Sequence, residues 1–132
     1  MTLVDTNILL DLTSGDPRWA AWSQRELEAA ASRGSILIND VVFTELSIGF
    51  DRVEDCEGFL AEINVMTAPI PRGALFLAGK VFRNYRRRGG PRSGVLPDFF
   101  IGAHAAFEGL TLLTRDPRRY RAEFPSLHLI AP

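Results

Sequence analysis

A chain of 132 residues that is 46% apolar fits one ordinary domain with its own core and excludes a disordered chain. Its one cysteine, Cys56, excludes an intrachain disulfide, and a net charge of −1 gives no bulk electrostatic reason to bind nucleic acid. A single cysteine suits a reducing, cytoplasmic setting. Asp5 interrupts the N-terminal apolar run and no apolar stretch approaches the ~18 residues of a membrane span, so neither a signal peptide nor a membrane segment is expected.

Residues 2–5 read as a first strand that runs into Asp5, Thr6 and Asn7. A short helix over 7–12 follows, ended by the turn cluster Thr13-Ser14-Gly15-Asp16-Pro17, in which Asp16 is a cap with Pro17 at the first helical position. The next helix runs to about Ser32, with Trp19, Trp22, Ala29 and Ala30 facing inward. Ser35–Ile38 is a second strand, a continuous apolar run of the parallel-sheet kind. Asn39-Asp40 caps a helix over 41–49 whose apolar face carries Val42, Leu46 and Gly49, with Glu45 on that same face. A helix over 51–63 presents Phe59, Leu60 and Ile63, and residues 65–67 form a short third strand. The helix over 72–87 has Leu75, Ala78, Gly79, Phe82 and Tyr85 as its stripe, and residues 88–94 form a Gly- and Pro-rich loop. Pro97 opens a helix to Glu108, residues 110–114 form a fourth strand, a short basic helix follows Pro117, and residues 127–130 close the chain as a strand. This alternation predicts a single α/β domain over 1–132, a three-layer α/β/α sandwich around a mostly parallel sheet.

Charge is unevenly spread. Residues 40–62 hold seven acids and one base, whereas residues 63–97 hold no acid and seven bases. Arg86, Arg87, Arg88 and Arg92 belong to that second stretch; Arg115, Arg118, Arg119 and Arg121 form a further group. These arginines are either solvated helix faces or contacts to phosphate or an acidic partner.

Four carboxylates stand out by context. Asp5 ends the first strand, Asp116 follows the fourth, Asp98 lies in the first turn of a helix, and Glu45 lies on the apolar side of its helix. Parallel strands share their carboxyl ends, so Asp5 and Asp116 are expected at one edge of the sheet, where open α/β sheets bind ligands. Two carboxylates about 5 Å apart at an effective dielectric of about 20 repel by ~3 kcal/mol, so the cluster asks for a divalent cation. Oxygen-only ligands favour Mg²⁺ or Mn²⁺ over Zn²⁺. Other features have simpler expected roles: Trp19 and Trp22 as helix core, Asp40 as a cap, Asp11 as a solvated or helix-end acid, Cys56 as an inert helix residue, and His104 as a packed or surface helix residue.

Val4-Asp5-Thr6-Asn7, Phe43-Thr44-Glu45-Leu46, residues 96–105 from Leu96-Pro97-Asp98 to His104-Ala105, and Leu112-Leu113-Thr114-Arg115-Asp116 resemble, in order, the motifs of PIN-domain ribonucleases, and the whole chain is similar to the VapC toxins of toxin–antitoxin pairs. The resemblance implies an endoribonuclease in which Asp5, Glu45, Asp98 and Asp116 hold one or two Mg²⁺ or Mn²⁺ ions. It implies that Asn7 and Thr114 orient the acids or the attacking water, with Thr6 as a supporting hydroxyl. It also implies an RNA substrate, a homodimer and a cognate VapB-type antitoxin, and it leaves open whether Arg86, Arg87, Arg88, Arg92 and Arg115 meet RNA or antitoxin. Gly102 stands where the family often has Ala, a small-for-small change expected only to loosen helix packing slightly.

Three other readings compete with this one. A haloacid-dehalogenase-type phosphatase wants a second Asp two residues after the first and a Lys before the later acids; here Asn7 holds the first position and the one lysine, Lys80, lies on the wrong element. A non-catalytic binding module on the same fold fits poorly with four retained acids. A PIN nuclease of RNA processing, outside toxin–antitoxin systems, differs in partner rather than in chemistry.

Overall fold

The computed structural model describes all residues from Met1 to Pro132. Five short strands, β1 (Thr2–Val4), β2 (Ile36–Ile38), β3 (Val65–Thr67), β4 (Thr111–Leu113) and β5 (Leu129–Ile130), form one sheet in the order β3-β2-β1-β4-β5. Every pair is parallel, so the expected mostly parallel sheet is wholly parallel. Seven helices connect and flank the strands: α1 (Thr6–Ser14), α2 (Ala20–Arg33), α3 (Asp40–Ser47), α4 (Val53–Glu62), α5 (Arg72–Arg87), α6 (Leu96–Glu108) and α7 (Arg118–Glu123). The chain winds outward from β1 through β2 to β3, then returns to place β4 on the other side of β1. The carboxyl ends of β1 and β4 therefore flank the point where the winding reverses, the place where such sheets open a crevice.

Leu3, Val4, Ile38, Leu112 and Leu113 are buried on the three central strands, which explains their continuous apolar runs: helices cover both faces there and leave no wet face to signal by alternation, whereas the edge strands β3 and β5 are partly exposed. Helix ends follow local chemistry. Gly15 and Gly109 stop α1 and α6 in the left-handed region, at φ 62° and 66°. Asp16 accepts from the amides of Arg18 and Trp19 at 2.8 and 2.9 Å, so it caps the turn that leads into α2, which begins at Ala20 rather than at Pro17. Asn39, not Asp40, caps α3: its Oδ1 accepts from Val42 N at 3.0 Å, and Asp40 is exposed as the first helical residue. Its Nδ2 then faces His104 Nδ1 at 3.1 Å, so the imidazole accepts there and carries its proton on Nε2. Burial lowers the His104 pKa, against the opposing pull of Glu108 and Asp40, which suits this neutral, packed histidine.

Four packing expectations change. Gly49 lies past the end of α3 and is exposed, so Val42 and Leu46 alone form that helix's buried face. On α5 the inward row is Ala74, Ala78 and Tyr85, with Leu77, Val81 and Phe82 half-buried; Leu75 and Gly79 face outward. Small residues occupy the inner row because α5 runs close against α6, so close that a Cβ on Gly73 would lie 2.4 Å from the Phe107 ring. On α2 it is Ser23, Leu27 and Ala30 that are buried, while Trp22 and Ala29 are only half-buried and Trp19 precedes the helix. Gly102 does not loosen α6: a Cβ there would lie 2.5 Å from the Phe124 ring, so the absence of a side chain is what lets Phe124 seat.

Gly102→Ala is expected to lower stability by roughly 1–3 kcal/mol through overpacking against Phe124. Gly79→Ala, mid-helix and open to solvent, is expected to raise stability by about 0.5–1 kcal/mol. Urea unfolding of both variants beside the parent measures the two opposite signs.

Candidate functional site

Asp5 N donates to Leu113 O at 2.9 Å, so the first residue past β1 is still held in register with β4. Asp5 then turns out of the sheet as the cap of α1, its Oδ1 accepting from Thr6 N at 2.8 Å. Its Oδ2 accepts from Thr114 Oγ1 at 2.8 Å and Tyr120 OH at 2.9 Å, with Asn7 Nδ2 at 3.4 Å. Asn7 Oδ1 in turn accepts from Arg115 N at 3.1 Å, and Thr114 Oγ1 accepts from Asp116 N at 3.1 Å. The turn that carries Asp116 is thus tied to the first turn of α1 by side chains on both segments.

Asp5, Glu45, Asp98 and Asp116 all line one cleft of about 890 Å³, together with Thr6, Asn7, Tyr85, Tyr120 and Glu123. Leu10 and Ile48 form an exposed apolar part of its wall, and Arg118 and Arg119 are its two cations. Glu45 Oε1 accepts from Thr6 Oγ1 at 2.6 Å, which joins α3 to α1. Asp98 Oδ2 accepts from Arg119 Nε at 3.2 Å, and Arg119 Nη1 donates to Tyr85 OH at 3.3 Å.

The electrostatics are those of crowded acids in a partly dry cleft. Burial pushes the Asp5 carboxyl up from 3.8 to about 6, with nearby Asp98 adding to the rise while Thr114, Tyr120 and Thr6 oppose it. Burial also raises Asp98, against the Arg119 guanidinium, and Glu45 and Asp116 push the same way as burial. The Tyr120 hydroxyl lies well above its ordinary range because it is buried beside Asp5 and so stays a donor. With Glu45 bonded to Thr6 and Asp98 to Arg119, no three His, Cys, Asp or Glu side chains form a ready ligand cage. The donor set nonetheless suits a hard divalent cation: four carboxylates around one cleft, two of them raised by burial and by their acidic neighbours.

The arginines divide into distinct groups. Arg86, Arg87, Arg88, Arg92 and Arg115 are not in the cleft lining. Arg86 Nη1 donates to Gly90 O at 2.7 Å and Arg88 pairs with Glu123. Arg115 places Nε and Nη2 on the two oxygens of Asp11, at 2.9 and 3.0 Å, and lies 5.6 Å from the centre of the Trp19 ring. Asp11 lies in the last turn of α1 but is not solvated: it is 2% exposed and also accepts from Ser23 Oγ at 2.7 Å. Cys56 is buried in α4, and Trp19 and Trp22 meet edge to face at 5.9 Å. Sequence reasoning names Arg119 only within a basic group that meets phosphate or an acidic partner and Tyr85 only in the α5 stripe, and it misses Tyr120 and the burial of Asp11. No local signal marks Tyr120, whose hydroxyl reaches Asp5 only because α7 folds back over the cleft.

The PIN domain family model matches residues 2–125. The fold is similar to VapBC2 from Rickettsia felis, solved bound to a DNA fragment from its promoter, with TM-score 0.76, 21% identity and coverage of 99% of this chain and 98% of that one. It is also similar to DNA-bound VapBC from Salmonella typhimurium (0.70, 18%, covering 98% and 96%) and to FitAcB from Neisseria gonorrhoeae (0.64, 18%, covering 98% and 96%). No curated protein matched the chain.

Asp5 ionises near 3.8 when unfolded and near 6 when folded. Between these values the folded protein holds the extra proton, so stability falls as pH rises through that window, by about 3 kcal/mol in the limit. Through Asp5, the metal-free parent is therefore expected to lose stability as pH rises from 4 to 7.5, by up to about 3 kcal/mol; urea unfolding of the parent across that range, beside a Mn²⁺-loaded sample, checks the sign. Arg115→Ala strips the partner from buried Asp11 and is expected to cost about 3 kcal/mol, read from the same unfolding curves.

Proposed function

This chain belongs to the PIN-domain family, and on that footing we propose that it is a Mg²⁺- or Mn²⁺-dependent endoribonuclease, the toxin of a VapBC-type toxin–antitoxin pair. The observation that carries this reading is the convergence of Asp5, Glu45, Asp98 and Asp116 on one cleft at the winding reversal of the sheet, with Asp5 anchored there by four donors. Its similarity in fold to VapBC and FitAB complexes supports the choice of toxin within the family.

The four acids are the residues that would hold the cation. Held there, a divalent ion would supply the Lewis acidity of metal-assisted phosphodiester hydrolysis. The chain's own groups do the rest. Thr114 and Tyr120 hold one Asp5 oxygen by donation, which supports its ionised form in spite of burial. Asn7 fixes the Thr114–Asp116 turn through Arg115 N. Thr6 orients Glu45. The exposed arginines of 83–92 lie outside the cleft lining and attract a polyanion to its surroundings.

Two protein partners belong to this reading. An antitoxin segment that presents an apolar side chain to Leu10 and Ile48 and a cation to the acids matches the two chemistries of the cleft. A second copy of the chain fits the exposed apolar side chains Leu75, Phe76 and Phe107, the last of which packs on Gly73 and so joins the α5 and α6 faces. No helix is long and apolar enough to cross a membrane.

The purified chain, freed of any antitoxin, is expected to cut total cellular RNA into discrete fragments bearing 5′-phosphates with Mg²⁺ or Mn²⁺. EDTA and Asp98→Asn are each expected to abolish cutting. Equal cutting by Asp98→Asn would contradict the site, and no cutting by the folded parent in either metal would contradict the nuclease.

A further inference from the structure

We propose that Arg119 is the residue of the cleft that receives an RNA phosphate, an assignment that rests on the nuclease reading. A cleft lined by five acids, Asp5, Glu45, Asp98, Asp116 and Glu123, repels a polyanion, and only Arg118 and Arg119 bring positive charge to its lining. Arg118 is a rim residue, 92% exposed and 4.0 Å from Asp116. Arg119 is 33% exposed and pre-oriented. Nε donates to Asp98, Nη1 donates to Tyr85 OH, and the guanidinium lies 5.6 Å from the centre of the Tyr85 ring.

The way Arg119 is bonded separates it from a structural arginine. Arg115 lays Nε and Nη2 on both oxygens of a buried acid. Arg119 gives Asp98 one N–H, onto one oxygen, and its Nη2 has no partner in the protein. A guanidinium carries five donors in a planar fork, so an edge suited to a phosphate's oxygens is left over. The Tyr85 ring that positions Arg119 is itself braced from the basic loop. A Cβ on Gly90 would lie 2.5 Å from that ring, and Arg86 holds Gly90 O at 2.7 Å. Orientation before substrate arrives is what makes a charge useful at a reacting phosphate. A group that served only to neutralise Asp98 would need none of this bracing.

The experiment compares the full chain with Arg119→Gln and Arg119→Lys, each checked for parent-like thermal unfolding. Three quantities are read: cleavage of a single-stranded RNA in Mn²⁺, Mn²⁺ affinity by calorimetry without RNA, and the salt dependence of RNA affinity by fluorescence anisotropy in EDTA. The glutamine variant is expected to bind Mn²⁺ at least as tightly as the parent, because a competing cation is gone. It is expected to lose cleavage efficiency about tenfold or more, the loss of a charge-assisted hydrogen bond. Its salt slope is expected to fall by about 0.7, the value for one phosphate contact on a single strand. The lysine variant should keep the salt slope and recover cleavage only in part, since it keeps the charge and loses the fork. Glutamine-variant cleavage and salt slope equal to the parent's would overturn the assignment. So would a cleavage loss matched by lost Mn²⁺ affinity, which would make Arg119 a support for the acids. A parent chain that neither cuts nor binds RNA would overturn the nuclease reading itself, and this one with it.

Discussion

One buried carboxylate organises this molecule. Asp5 lies at the carboxyl end of the central strand, 6% exposed, with one oxygen on the first amide of α1 and the other shared by Thr114, Tyr120 and Asn7. Those donors come from α1, from the residue after β4, and from α7. The same side chain therefore caps a helix, joins two strand ends and draws the last helix over the cleft. Burial works against its charge, and the hydrogen bonds only partly offset that, which is why its pKa reaches about 6. An acid in this state is costly when ionised and alone, and it becomes favourable when a cation stands beside it. Stability of the metal-free chain and the proposed cation binding thus pull in opposite directions at this residue.

The rest of the charge is arranged around that conflict. Glu45 and Asp98 are occupied by Thr6 and Arg119, so the acids are quieted by hydrogen bonds from the protein's own side chains. A second pairing, of Asp11 with Arg115, lies outside the cleft lining. It ties α1 to the turn between Thr114 and Asp116, with Ser23 and Trp19 completing its surroundings. The α5–α6 hairpin sets the remaining wall. Small residues on α5 allow close approach, and the Tyr85 ring from the end of that helix reaches both Phe99 and Arg119.

How much of this could be read from the chain depends on whether the information was local. Strand-then-acid, helix-first-turn acid and acid on a helix's apolar face are local patterns, and they placed Asp5 and Asp116, Asp98, and Glu45 on elements that do share a cleft. The element order and the parallel sheet were equally legible, because apolar runs alternate with helical stretches. Contacts made by folding back were not. Nothing around Tyr120 says that its hydroxyl returns 115 residues to Asp5, and Asp11, on its own, looks like any acid on a short helix. The α5 stripe failed for a related reason. Hydrophobicity alone favours Leu75 for the core, whereas close helix packing selects Ala74 and Ala78 and leaves Leu75 outside. Gly102 has the same lesson in reverse, since the ring it admits belongs to Phe124 on the far side of β4 in sequence.

The central claim is that the acids around Asp5 take up a divalent cation and that Asp5 must shed its proton to do so. Calorimetric titration of Mn²⁺ into the metal-free chain at pH 6, in two buffers of different ionisation enthalpy, tests both parts at once. With Asp5 half-protonated near pH 6, binding should release about half a proton or more per ion, falling towards zero by pH 8. Asp5→Asn should weaken binding and lose most of that release. Mn²⁺ binding with no proton release at pH 6, or no binding at all by the folded parent, would contradict the account.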